Sequence, residues 1–188
     1  ILATMLKSRT YQTSYQPNDF NTDDVKYFSH YQPRLLSAEQ LLDAICHVTD
    51  IPETFSGLPV GTKATQLPAP DLVKNDFLKI FGQPDRQTVC ACERTSESNL
   101  SMAIQFFNGP LVYGKLRDEK NSFRKMIEAG SNDTEIISQL YQRAVCRLPS
   151  ETELQASLSH LTAKENRIEA LEDICWAILN TNEFLFQH

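Results

Sequence analysis

Asn132-Asp133-Thr134-Glu135-Ile136-Ile137-Ser138-Gln139-Leu140-Tyr141-Gln142-Arg143-Ala144-Val145 is the stretch that decides the fold. Its apolar residues Ile136, Ile137, Leu140, Tyr141, Ala144 and Val145 recur at the spacing of one helix face. Asn132 with Glu135 three places on makes a capping box, which fixes where the helix starts. Two further helices follow in the same style. Pro149 and Ser150 with Glu153 open a helix carrying Leu154, Leu158 and Leu161. Ile168, Leu171, Ile174, Cys175, Ile178 and Leu179 then form a third stripe, stopped by Asn180-Thr181-Asn182. The spacing predicts a helical hairpin plus one helix, with Glu183-Phe184-Leu185-Phe186 docked on the body.

Toward the N-terminus the same signals recur more weakly. Ser122 to Ala129 reads as a helix with Phe123, Met126 and Ile127 inward and Gly130 as its stop, preceded by a helical piece from Leu111 to Arg117. Ser96 or Ser98 caps a helix with Leu100, Ala103, Ile104 and Phe107, closed by Asn108-Gly109-Pro110. A short helix fits Asp71 to Phe81, with Gly82 after it. Ser37 and Gln40 form another capping box ahead of Leu41, Leu42, Ile45 and Val48, and that helix ends at Asp50 and Pro52. From Pro52 to Pro70 proline and glycine prevent helix propagation, so this is an irregular insert with at most one or two minimal strands. Thr10 to Asp24 reads as a loop whose tyrosines pack back on the body. The expected fold class is all-α, a mainly helical orthogonal bundle with a long Pro/Gly-rich insert and minimal β. It is read as one domain over 1–188, with 1–117 and 118–188 as candidate subdomains.

The 188 residues suffice to bury a core without staples. A net charge of -6 and a pI near 5.2 exclude a surface built for nucleic acid or anionic lipid. No apolar run is long enough to span a membrane. The opening Ile1-Leu2-Ala3-Thr4-Met5-Leu6-Lys7 is too short and polar for a signal peptide and reads as a helix begun upstream, so the chain is taken as a piece of a longer protein.

Reaction motifs are missing. Gly57-x-x-x-Gly61-Thr62-Lys63 has neither the glycine spacing nor the Gly-Lys-Ser/Thr order of a phosphate loop. Cys46-His47 is preceded by Asp43 where covalent haem attachment needs cysteine, so no covalent haem is expected in this segment, and no cofactor of its own is expected there either. There is no serine elbow, zinc-protease helix or dinucleotide fingerprint. His30, His47, His160 and His188 are scattered.

The specialised stretch is Phe81-Gly82-Gln83-Pro84-Asp85-Arg86-Gln87-Thr88-Val89-Cys90-Ala91-Cys92-Glu93-Arg94. Cys90 and Cys92 are too close to bond each other without strain. They pair elsewhere, stay reduced, or ligate a metal with further ligands drawn from Cys46, His47, Cys146, Cys175, His30 or His160. Arg86 and Arg94 would lower a thiol pKa or clamp a carboxylate, and Glu93 would tie the loop by pairing with one of them. Arg86, Cys90, Cys92, Glu93 and Arg94 are therefore the candidate functional segment, with Cys90 and Cys92 as metal candidates.

The blocks from Arg34 to Ile45, from Gly61 to Pro68, from Phe81 to Arg94, and from Leu171 through Phe184 resemble the planctomycete-specific domain of unknown function. That domain usually follows cytochrome-c-like domains in large exported proteins. The resemblance implies a C-terminal piece of a secreted, periplasmic or cell-envelope protein, with haem elsewhere in the full-length chain. Its implied partners are other domains of the parent protein or envelope components. Ala91 stands where an acidic residue is common, and Lys63 where arginine is usual. The expectation is a structural or interaction module. The rival is a redox or metal-dependent enzyme domain around Cys90 and Cys92, and the third reading is glycan binding through the Tyr11 to Tyr31 aromatics.

Overall fold

The computed structural model describes residues 1–69, 73–83, 102 and 109–187. It is all-α with a minimal sheet. In chain order come α1 (Leu2–Leu6), β1 (Arg34–Leu35), α2 (Ala38–Thr49), a 3-10 turn (Ala64–Gln66) and α3 (Asp76–Ile80). Then follow α4 (Pro110–Arg117), α5 (Ser122–Glu128), α6 (Asp133–Val145), α7 (Glu151–Ala163), α8 (Arg167–Leu179), α9 (Asn182–Leu185) and β2 (Phe186–Gln187).

The helix α2 is the hub. Ser37 and Gln40 cap it reciprocally, and Asp50 closes it in the left-handed conformation at φ 59°. Its buried face of Ala38, Leu41, Leu42, Ile45 and Val48 meets α3, α4, α5, α6 and the 3-10 turn. Fully burying one such leucine or isoleucine is worth roughly 1.5–3 kcal/mol, so this face dominates the local energetics. Around it lie Phe77, Leu78, Val112, Leu116, Phe123, Ile136, Ile137 and Leu140, and from α8 and α9 Leu171, Leu179 and Phe184. The core is one continuous cluster from Ala38 to Phe184.

The three C-terminal helices form where their caps and apolar stripes place them. Asn132 with Glu135 and Ser150 with Glu153 are complete capping boxes, and Asn166 accepts from the amides of Ile168 and Glu169. Of the expected apolar positions on α7, only Leu161 is buried outright, while Leu154 and Leu158 are half-buried. α7 covers the flank of α6 and α8 instead of entering the centre.

Several expectations need correction. The third helix starts at Asp76, not Asp71, because the Asn75 side chain accepts from Leu78 N and so sets the start there; residues 70–72 lie outside the described residues. α4 begins one residue early, at Pro110, since proline at the first helical position sacrifices no hydrogen bond. The insert from Pro52 onward agrees with the expectation of at most minimal β, with a 3-10 turn and no strand among its described residues; the only described strand pair joins Arg34↔Gln187 and Leu35↔Phe186, antiparallel. The insert is held by burial of Phe55 and Ala64, with positive φ at Gly57 and Gly61. Of the two tyrosines in the Thr10 to Asp24 loop, Tyr11 is 62% exposed and does not fold back, whereas Tyr15 lies beside Arg147, Glu183 and Phe186 of the body; residues 1–37 include no buried residue. Of the helix expected between Ser96 and Phe107, Met102 alone is described; it is helical and buried.

Candidate functional site

Arg86, Cys90, Cys92, Glu93 and Arg94 lie outside the described residues. The approach to them is well defined. Phe77 stacks on Phe81 with ring centroids 4.2 Å apart, and Gln83 N donates to Leu78 O at 2.9 Å, closing α3. Gly82 takes φ 83°, a conformation that turns the chain sharply away from the helix.

The remaining thiols are separated by the fold. Cys46 is half-buried on α2, Cys175 is fully buried on α8, and Cys146 is exposed where it ends α6 at φ 56°. All three are free thiols. Burial pushes the Cys175 thiol up to about 12, which makes it inert as a nucleophile. Burial likewise raises Cys46, against the opposing charge of Lys115. His47 is exposed, and His160 is engaged by Asp173 at 2.9 Å. Among the described residues no group of three or more His, Cys, Asp or Glu side chains converges as a metal site would require.

The described polar clusters tie elements together. Arg147, just past α6, makes bidentate hydrogen bonds at 2.8 Å to Glu153 on α7 and at 2.7 Å to Glu183 on α9. The guanidinium also lies 5.5 Å from the Tyr141 ring centroid. Hydrogen bonds from Arg147 foremost, with those of Ser150 N, hold the Glu153 carboxyl down at about 2, and the two carboxylates raise the Arg147 pKa in turn. Burial foremost, then the Glu153 charge, raises the Tyr141 hydroxyl. This clamp was legible only in part: Glu153 shows as a capping residue, whereas nothing in the spacing singles out Arg147.

Lys115 is the second tie. Its side chain is 7% exposed, pairs with Glu53 at 2.9 Å and donates to Ile51 O at 3.1 Å, pinning the start of the insert to α4. Asp43 on α2 does the same for the 3-10 turn, accepting from Ala64 N at 2.7 Å, Thr65 N at 3.1 Å and Thr65 Oγ1 at 2.7 Å. Arg124 pairs with Glu172 at 3.0 Å across α5 and α8. At Asp173 burial works upward, yet hydrogen bonds from Lys164 and then His160 prevail and lower its pKa. In each case the charge is consumed inside the fold.

Residues 1–161 match the family model PSD1, described as a protein of unknown function (DUF1553). The chain belongs to this family. No curated protein and no solved structure matches it. The matched residues of the PSD1 chain include α1 to α6 and most of α7, while α8 and α9 beyond them still supply Leu171, Leu179 and Phe184 to the core. Among its described residues no helix is long and apolar enough to cross a membrane.

Proposed function

We propose that this PSD1 chain is a non-catalytic structural and interaction module, the C-terminal domain of a larger exported protein of planctomycete type. The observation that carries the reading is the contrast between a helical body with one continuous apolar core and an N-terminal arm that presents Ile1, Leu2, Phe20 and Val25 at 76% exposure or more. Apolar side chains gathered on one segment mark a surface that another body covers. The order of sequence blocks supports export, attachment to other domains or envelope components, and a haem domain elsewhere in the parent. Its acidity argues against nucleic acid.

The test is association in trans. The 188-residue chain, titrated with the separately expressed remainder of its parent protein, should form a complex that Phe20→Ser with Val25→Ser weakens about tenfold, since each replacement removes a large apolar contact. A complex indifferent to those substitutions, or no complex, overturns the reading.

The placing of Cys90 and Cys92 between Arg86 and Arg94 favours a second reading, a redox or metal-dependent site at that pair, because neighbouring guanidiniums lower a thiol pKa. Metal analysis with a thiol count on unreduced protein separates the two. Stoichiometric metal held by Cys90 and Cys92 would replace the structural reading, and five free thiols without metal would leave only the reduced pair.

A further inference from the structure

We infer that the arm carries a binding cavity for a pyranose bearing an anionic group, which goes beyond the reading above and uses different residues of the arm. The cavity holds about 500 Å³ between α1 and the loop leading to β1. That size lies within the range of small-ligand pockets. Tyr11, Phe28 and Tyr31 supply aromatic walls, and Thr13, His30 and Arg34 supply polar groups. No carboxylate is among its described lining residues.

Three observations specify the ligand. First, Nδ1 of His30 is buried without a hydrogen-bond partner among the described residues. Such an atom is costly to leave unmet, and a turn of the half-buried ring that brings it to the cavity lets a hydroxyl, which both donates and accepts, satisfy either tautomer. Second, Phe28 sits at φ 54°, a left-handed conformation that a bulky aromatic residue rarely takes. The Asp24 carboxylate maintains it by accepting from Lys26 N at 3.0 Å, Tyr27 N at 2.7 Å, Ser29 N at 3.0 Å and Ser29 Oγ. Tyr31 N donates to Ser14 O at 2.9 Å, which fixes the next turn of chain beside the cavity. Phe28 is thereby set before a ligand arrives, which lowers the ordering cost of binding. Third, Arg34 is exposed at the end of the cavity on β1, where a guanidinium forks onto a carboxylate or sulfate.

A hexopyranose unites these demands. Its C–H face packs on the electron-rich face of an aromatic ring, its hydroxyls meet His30 and Thr13, and a carboxylate meets Arg34. A purely apolar ligand would leave His30 Nδ1 unmet, and a cation would be repelled by Arg34.

Isothermal titration of the full chain with digalacturonic acid, and with cellobiose as the neutral counterpart, tests the assignment. Saturable binding of digalacturonic acid is expected, about tenfold weaker in Tyr11→Ala, where a stacking wall is lost. Cellobiose should bind at least about fivefold more weakly, and Arg34→Gln should abolish that difference. Both side chains are exposed, so unchanged circular dichroism and thermal midpoints will certify the variants; Thr13→Val serves as a third probe should either fail to fold. No saturable binding of digalacturonic acid, equal binding of both sugars, or binding indifferent to these substitutions would falsify the assignment. Failure here leaves the trans-association test untouched, because Phe20 and Val25 do not line the cavity.

Discussion

The arm of residues 1–33 and the body from Ala38 to Leu185 reach order by opposite routes. The body buries Leu41, Leu42, Ile45, Phe123 and Leu171 to 0% exposure and then ties its helices with a few ionic clamps. The arm buries nothing and is shaped by short-range polar bonds, such as those of Asn18, Asn21 and Asp24 to nearby amides. Hydrophobic burial supplies cooperative stability, whereas local side chain to backbone bonds specify shape without adding much to it. A chain built this way has a rigid core and a presenting surface, as an interaction module needs.

The sharpest way to break that contrast is to cut into each region equally. Phe123→Ala should cost about 3–5 kcal/mol in urea denaturation, because the site is fully enclosed and the cavity cannot collapse. Phe20→Ala, at a side chain 98% exposed, should stay within about 0.5 kcal/mol of wild type. Comparable losses at both positions would mean that the arm shares the core after all. Lys115→Ala comes next: removing the cation strands Glu53 and loosens the insert, for a loss of about 2–3 kcal/mol. Lys115→Met with Glu53→Gln should recover much of it, since packing survives and no charge is left unpaired.

The Arg147 clamp sharpens the comparison through pH. Glu153 is held at about 2, below its unfolded value of 4.5, so its contribution is complete above pH 4.5 and is lost as pH falls toward 2. Wild-type stability should therefore decline over that window. Arg147→Ala should lower stability at neutral pH by about 1–2 kcal/mol, the range for a part-exposed bidentate pair, and flatten the decline. An unchanged slope in denaturation midpoint against pH would show that the clamp is not what depresses Glu153.

Legibility followed the same division. The starts of α2, α6 and α7 were readable because a capping box is local, with Ser37–Gln40, Asn132–Glu135 and Ser150–Glu153 each spanning one turn. The pairing of Arg34 with Gln187, the Lys115 to Glu53 tie and the Arg147 clamp join residues distant in sequence, and no periodicity announces them. Lys115 is the instructive miss. A lysine on a short helix reads as solvent-facing, and the Ile51 carbonyl and Glu53 make its burial tolerable. Composition marks Thr10 to Asp24 of the arm as a loop, but the cavity beside it depends on the backbone geometry at Phe28, which composition does not encode. The Cys90 and Cys92 segment was singled out by chemistry alone, and it lies outside the described residues.

The smallest effect on global stability falls at Asp24, and it isolates what the arm's polar bonds do. Hydrogen bonds from Ser29 Oγ foremost, then from the Tyr27, Ser29 and Lys26 amides, hold this carboxyl well below the usual carboxylate range, although it is solvent-accessible. Asp24→Asn keeps the size, removes the charge, and leaves one carbonyl oxygen where two carboxylate oxygens had accepted. The urea midpoint should not move, because no buried contact changes. Limited proteolysis after Lys26, Tyr27 and Phe28 should instead accelerate severalfold, as local opening no longer has to break charge-assisted bonds. Because Phe28 then loses the support for its left-handed backbone, digalacturonic acid binding should weaken in the same variant. A shifted midpoint with unchanged cleavage would place Asp24 in the cooperative core and erase the distinction between arm and body.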